Sequence, residues 1–271
     1  MNIKEQLTKA KIVPDPLKDQ FFLTDNEIII KTVDLAKVGR NDTVLEIGAG
    51  VGNLTEEIAK KAKKVITFEI DSRFKSFLSK LPKNVEVHYE NAWDYVQMHG
   101  KFRKKKIYNK VVSNLPYSFI EPFLHNLTFL DYDRVIILVP VRFLKKTEKW
   151  GVFGSFFKPE VLLKVPKEKF YPVPKSDSVL VDLVKLPDPL ESKNLGRFLR
   201  QCMYQHEGQL VKNSLMEGLI KYAGIIDLKT ITKNEARKII AEKSIDEVLL
   251  NQHPNNAEIY ELVEEKFKLK N

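Results

Sequence analysis

Through the first two-thirds of the chain, short β-rich runs alternate with stretches whose apolar residues recur at helical spacing. This alternation limits the possible folds more than any other feature. Residues 43–47, 65–69, 85–88, 110–113 and 135–139 predict strands, and residues 26–37, 53–62, 72–81 and 118–130 predict helices. Strand and helix in turn imply an α/β fold with a mostly parallel sheet covered on both faces. Two further runs, 161–165 and 179–184, follow with no helix between them and flank Phe170-Tyr171-Pro172-Val173-Pro174. Proline cannot continue a ladder, so this end of the sheet is expected to turn antiparallel as a hairpin.

Pro187-Asp188-Pro189 breaks both helix and strand, and the pattern changes beyond it. Residues 195–204, 209–222, 233–242, 244–250 and 257–269 all read as helices, with no convincing strand. The expected organisation is therefore an α/β domain over residues 1–187 and a small all-helical domain over 188–271. A length of 271 residues is ample for that arrangement, and 43% hydrophobic with 30% charged residues argues against disorder or a repeat array. The single cysteine, Cys202, excludes an intramolecular disulfide framework and a cysteine-based zinc site. The first six residues carry no long apolar stretch behind their charges, and the run 135–141 is too short to span a bilayer, so a cytoplasmic protein with no membrane partner is expected.

Glu46-Ile47-Gly48-Ala49-Gly50-Val51-Gly52-Asn53 falls where the first of these strands gives way to a helix. Glycines there let the backbone turn sharply and approach a ligand, while the helix start presents free amides. About 20 residues on, Glu69 ends the next strand, the position from which a carboxylate grips ribose hydroxyls. Together these features indicate a nucleoside-containing cofactor. A dinucleotide fingerprint wants its third glycine at position 53, which is Asn53, and the acidic Glu46 is badly placed beside a pyrophosphate. Glu46 suits the amine-bearing methionyl part of S-adenosylmethionine, which favours methyl transfer over hydride transfer to or from a nicotinamide.

Ser113-Asn114-Leu115-Pro116-Tyr117 follows the 110–113 strand, at the sheet edge where open α/β folds bind ligands. The Asn114 side-chain oxygen and the Leu115 carbonyl can accept hydrogen bonds from an exocyclic amine. Pro116 fixes the backbone, and Tyr117 offers a face to a planar base. Such a site suits the amino group of adenine, whose lone pair is shared with its ring.

In this order, Gln20 to Leu23, the glycine loop, Glu69, Asn114 to Tyr117 and Phe170 to Lys175 resemble the small-subunit ribosomal RNA adenine dimethyltransferases and, more distantly, the Erm macrolide-resistance methyltransferases. The resemblance spans about residues 17 to 185. It implies a Rossmann-like class I methyltransferase fold that dimethylates two adjacent adenines near the RNA 3′ end during ribosome biogenesis. It further implies that Gln20, Phe22 and Leu23 lie along the cofactor with Gly48, Gly50 and Gly52, that Glu69 holds the ribose, and that Ile70 packs on the cofactor adenine beside Asn91 and Ala92. Asn114 and Leu115 would hold the target amine, and Tyr117 and Phe170 would sandwich the flipped base. The partner implied is small-subunit ribosomal RNA or a pre-ribosomal particle, bound by a monomer.

The chain departs from this pattern in several places. Asp19 and Phe21 flank Gln20, where a glycine and a small or polar residue are usual, and Asn91 replaces an acidic residue. Phe119-Ile120-Glu121 replaces small polar residues, Val139 to Arg142 replaces a Gln-x-Glu segment, and Gln205 to Gly208 replaces an Arg-rich stretch. A paralogue with another RNA target, or an assembly factor with weak catalysis, is the alternative that these departures leave open. The basic run 101–106 and Arg142, Lys145, Lys146 and Lys149 are candidate phosphate contacts. The five histidines have no metal-ligand spacing, so no metal is expected. Of the net charge of +9, residues 190–271 hold 13 Lys and Arg against 12 Asp and Glu, so the excess lies in the first 189 residues. That domain is expected to make most phosphate contacts.

Overall fold

The structure, a computed structural model, describes residues 3–101, 107–127, 132–147, 156–187, 189–206, 208–254 and 257–268. The chain divides into two units, residues 1–144 with 159–184 and residues 145–158 with 185–271. The first begins with helix α1 (Ile3–Lys9) and continues through β1 (Phe22–Leu23), α2 (Asn26–Leu35), β2 (Thr43–Ile47), α3 (Asn53–Lys61), β3 (Lys64–Phe68), α4 (Lys75–Leu78) and β4 (Val85–His88). Next come α5 (Ala92–Lys101), β5 (Lys110–Asn114), α6 (Ile120–Leu127), β6 (Arg134–Pro140), α7 (Arg142–Thr147), β7 (Phe157–Val165), β8 (Phe170–Tyr171) and β9 (Ser178–Lys185).

Among the described residues, seven strands form one sheet in the order β4-β3-β2-β5-β6-β9-β7. Strands β2 to β6 pair in parallel, and β9 runs antiparallel to β6 with Pro140 opposite Ser178. The chain therefore steps outward from β2 to β4 on one side and from β5 to β6 on the other. The reversal lies between β2 and β5, where open α/β sheets bind ligands at their carboxyl ends. Sequence alternation puts Val44, Val65, Val112, Ile136, Leu138 and Leu180 in one buried cluster with Ile29 and Val33 of α2 and Leu54 and Ile58 of α3. Covering helices explain why the central strands are apolar on both sides: residues 44–47 and 135–140 are buried throughout.

The sheet has the mostly parallel character expected, and its antiparallel step falls between β6 and β9, with β7 outside β9. The stretch 72–81 is not one helix but a 3-10 turn, Ser72–Phe74, running into the short α4. Helix α5 is not among the helices expected from the sequence; its start is held by the Asn91 side chain, which accepts from the Trp93 amide at 3.0 Å. Strands β1 and β8 pair Phe22 with Tyr171 and Leu23 with Phe170. A two-residue ladder closed between segments so far apart in the chain leaves no periodicity to read.

The second unit contains α8 (Leu195–Gln205), α9 (Val211–Ile225), α10 (Lys233–Ala241), α11 (Glu247–Leu250) and α12 (Ala257–Lys266). Leu199, Met203, Val211, Leu215, Ile240, Val263 and Phe267 share its core. Helix α10 starts in a capping box: the Glu235 amide donates to the Thr232 hydroxyl, and the Glu235 carboxylate accepts from the Thr232 amide. Cys202 is buried with Phe198 and Tyr222, and burial pushes its thiol up to about 11.

Candidate active site

The β2–β5 ladder ends at Leu45 opposite Val111, two residues short of the end of β2. Beyond it the Ser113 hydroxyl donates to the Ile47 carbonyl at 2.7 Å and accepts from the Ile47 amide at 3.3 Å. A side chain thus replaces the backbone pairing where the two strands separate, and a cavity of about 620 Å³ opens at this edge. Gln20, Phe22, Leu23, Glu46, Gly48, Gly50, Glu69, Ile70, Asn91, Ala92, Asn114 and Pro116 all line it. Residues read from separated sequence segments therefore meet around one space.

The glycine loop follows β2, with φ of 82° at Gly48, 56° at Gly50 and 84° at Gly52. A Cβ on Gly50 would stand 2.8 Å from the Phe22 ring, so this position needs glycine for space as well as for conformation. The Gly50 amide donates to Glu69 Oε2 at 2.7 Å, and the Asp71 amide donates to Glu69 Oε1 at 2.8 Å. Both carboxylate oxygens are oriented by backbone and keep further lone pairs for ligand hydroxyls. Burial raises the Glu69 carboxyl above its ordinary range. Gly52 lies off the cavity: it caps α3 and packs against Leu78 and Leu81.

Glu46 is 1% exposed, and its Oε2 accepts from the hydroxyls of Thr55 at 2.6 Å and Thr67 at 2.8 Å. Full burial pushes its carboxyl up to about 7, against the pull of the two hydroxyls. A buried carboxylate facing a cavity favours a cationic occupant. Ile70 is 70% exposed at the cavity, an apolar side chain with a free face for a planar base. The Asn91 oxygen is engaged by the start of α5, so its capacity for another donor is partly used.

The Asn114–Ser118 segment is anchored from the amino-terminal side. Asn114 Nδ2 donates to the Phe21 carbonyl at 3.1 Å, which leaves Oδ1 as the acceptor on a residue that lines the cavity. Pro116 abuts Gly48, 3.4 Å from where a Cβ there would stand, so the glycine loop and this segment touch. Leu115 does not line the cavity, and its side chain is buried. Tyr117 starts the 3-10 turn Tyr117–Phe119 and does not line the cavity. Its ring stacks on Phe21, with centroids 5.7 Å apart and planes at 22°, and the Arg142 guanidinium lies 5.3 Å from the ring centroid.

Phe170 departs from its expected place. It is 3% exposed, lies outside the cavity lining, and packs in one apolar cluster with Leu23, with which it pairs. The packing follows from the β8 register, which turns Phe170 inward while its neighbour Tyr171 joins a different cluster.

Several residues at the site carried no signal in the sequence. Thr67 reaches Glu46 only because β2 and β3 are neighbours in register, and Thr55 does so from the first turn of α3. Gln20 donates to Asp71 Oδ2 at 2.8 Å and accepts from Arg73 at 3.2 Å. The Arg73 side chain beside Asp71 holds that carboxyl well below the usual range. Residues 102–106 lie outside the described residues, as does Lys149, and the side chains of Lys145 and Lys146 are not described either. Among the described residues, no group of three His, Cys, Asp or Glu stands together as metal ligands.

A parallel sheet reversing at β2, a glycine loop at its edge and an acidic residue ending the adjacent strand define a class I methyltransferase, whose methyl donor is S-adenosylmethionine. Residues 18–248 match the ribosomal RNA adenine dimethylase family, and the chain belongs to that family. It is 33% identical over 238 residues to a probable ribosomal RNA small subunit methyltransferase A of Pyrococcus abyssi, covering 83% of this chain and 84% of the relative. The Pyrococcus furiosus protein of the same description is 31% identical over 258 residues, 89% of this chain and 92% of the relative. Two solved structures share the fold. A dimethyladenosine transferase from Plasmodium falciparum has a TM-score of 0.57 at 21% identity, covering 89% of this chain and 95% of its own. The 23S rRNA methyltransferase ErmE has a TM-score of 0.56 at 20% identity, covering 91% and 99%.

Proposed function

We propose that this protein dimethylates the 6-amino group of adjacent adenines near the 3′ end of small-subunit ribosomal RNA, acting in the cytoplasm as a monomer during ribosome biogenesis. The observation that carries this reading is the Asn114 amide, whose nitrogen is committed to the Phe21 carbonyl so that its oxygen is kept for an amine.

The residues present fit S-adenosylmethionine. Glu69, held by the Gly50 amide, would take the ribose hydroxyls, exposed Ile70 the adenine face, the Gly48–Gly50 turn a close backbone approach, and buried Glu46 the cationic end. When bound, the cofactor supplies a methyl group on a positively charged sulfur. For the first transfer Asn114 Oδ1 and the Leu115 carbonyl would accept hydrogen bonds from the two amino hydrogens of adenine, and for the second, one of them would hold the single hydrogen left, drawing the nitrogen lone pair towards the methyl donor. Holding that nitrogen in line supplies most of the acceleration, and no strong base is needed. Each methyl gained releases one proton from the amine to water. Tyr117, outside the cavity lining and stacked on Phe21, would border the extruded base once Arg142 moves off its ring.

The test is incubation with transcribed, unmodified small-subunit ribosomal RNA and labelled S-adenosylmethionine, followed by mass-spectrometric mapping. Dimethyladenosine at two adjacent positions near the 3′ end is the expected result. Transfer to no adenine would overturn the reading, and RNA binding without cofactor binding at low micromolar concentration would favour an assembly factor.

A further inference from the structure

Three of the contacts that hold the Asn114–Ser118 segment come from one strap, residues 19–21. Asp19 Oδ2 accepts from the Ser118 amide at 2.8 Å, the Phe21 carbonyl accepts from Asn114 Nδ2 at 3.1 Å, and the Phe21 ring stacks on Tyr117 at 5.7 Å. Asp19 sits at φ 55°, a left-handed conformation that asparagine and aspartate tolerate better than most residues and glycine best. Its carboxylate caps the 3-10 turn that carries Tyr117. Between them Gln20 bonds to Asp71, two residues past Glu69, and to Arg73. The strap thus ties the ribose-binding loop to the amine-holding loop along the wall of one cavity, which Asp19, Gln20 and Phe21 all line.

We propose that Asp19 and Phe21 are positioning residues for methyl transfer: they act through Asn114 and Tyr117 and couple cofactor binding to the readiness of the base site. The proposal rests on the methyltransferase reading above. A charged acceptor on the Ser118 amide and a stacked ring under Tyr117 each remove freedom from the segment that must meet the base. Losing either leaves the cofactor contacts in place and loosens only the amine contacts.

Three variants of the full chain test this. Asp19→Gly removes the cap while permitting the backbone angle, Phe21→Ala removes the stack, and Phe21→Tyr retains it. Asp19→Gly and Phe21→Ala are expected to lower kcat on transcribed small-subunit ribosomal RNA by about tenfold. Cofactor Kd should stay within about twofold, and Phe21→Tyr should recover most of the lost rate. Hydrogen exchange supplies a readout independent of turnover. In the first two variants, amides 114–120 should exchange about tenfold faster while those of β2 and β3 keep their protection. Adding S-adenosylmethionine should protect amides 114–120 in the wild type and fail to do so in Phe21→Ala. Unchanged exchange at 114–120 in both variants overturns the proposal even if the wild type methylates RNA. An inactive wild type whose segment still loosens in the variants, and whose cofactor protection fails in Phe21→Ala, removes the RNA substrate reading and leaves the positioning role standing.

Discussion

A backbone carbonyl holds the Asn114 amide, and two threonine hydroxyls hold the Glu46 carboxyl. The chemistry of Asn114, an acceptor beside a strand end, follows from its neighbours in sequence. Its amide orientation does not, because the group that fixes it is the carbonyl of Phe21, 93 residues away. Asn114→Ala should reduce kcat at least about a hundredfold with cofactor affinity within about threefold, measured by labelled methyl transfer and calorimetry. Glu46 was legible as an anion near the cofactor, and only the fold shows that it is fully buried beneath two threonine hydroxyls. Its carboxyl, raised to about 7, keeps a proton that the unfolded chain gives up near pH 4.5. Between these values the native state binds more protons, so its contribution to stability falls as pH rises. Glu46→Gln should therefore raise the melting temperature of the ligand-free protein at pH 8, by an effect on the order of 1–3 kcal/mol that shrinks towards pH 5. In the wild type, cofactor affinity should increase as pH rises through about 7, and the Glu46→Gln variant should lose that dependence.

Among the elements, the long strands and amphipathic helices were readable because their period is built into the local chain. Short elements were not: β1 and β8 exist only by pairing with each other, and α4 is cut short by the 3-10 turn before it. The β8 register also explains why Phe170, an aromatic in a proline-rich segment, packs with Leu23 in an apolar cluster and does not line the cavity. Two glycines give predictions at this scale. Gly50→Ala places a methyl against Phe22 at positive φ and should weaken S-adenosylmethionine binding about tenfold in calorimetry. Gly196 in α8 lies where a Cβ would meet the Glu264 carbonyl of α12 at 2.2 Å. Gly196→Ala should destabilise the helical unit by roughly 1–3 kcal/mol, seen as a lowered transition in scanning calorimetry with cofactor binding unchanged.

Over the whole chain, charge is divided unevenly, with nearly all of the net +9 in the first 189 residues. RNA affinity should fall linearly with salt on a logarithmic scale, since phosphate contacts release counterions. Lys18, exposed on the cavity rim, and Lys238, exposed on α10, provide a paired test. Lys18→Glu should weaken binding of transcribed ribosomal RNA several-fold at moderate salt, and Lys238→Glu should leave it within about twofold, by filter binding. Equal losses would contradict the assignment of phosphate contacts to the methyltransferase unit.

Local information determined the alternation of strand and helix, the glycine turn, the carboxylate about 20 residues on and the acceptor-proline-aromatic segment, because each depends on residues close in the chain. These were enough to indicate a cofactor and a methyl acceptor. Only the tertiary structure decided which partners complete the site: the threonines around Glu46, the strap at Asp19 and Phe21, and the guanidinium of Arg142 beside Tyr117. Most of these contacts join segments far apart in the chain, and their geometry is set by strand order and register.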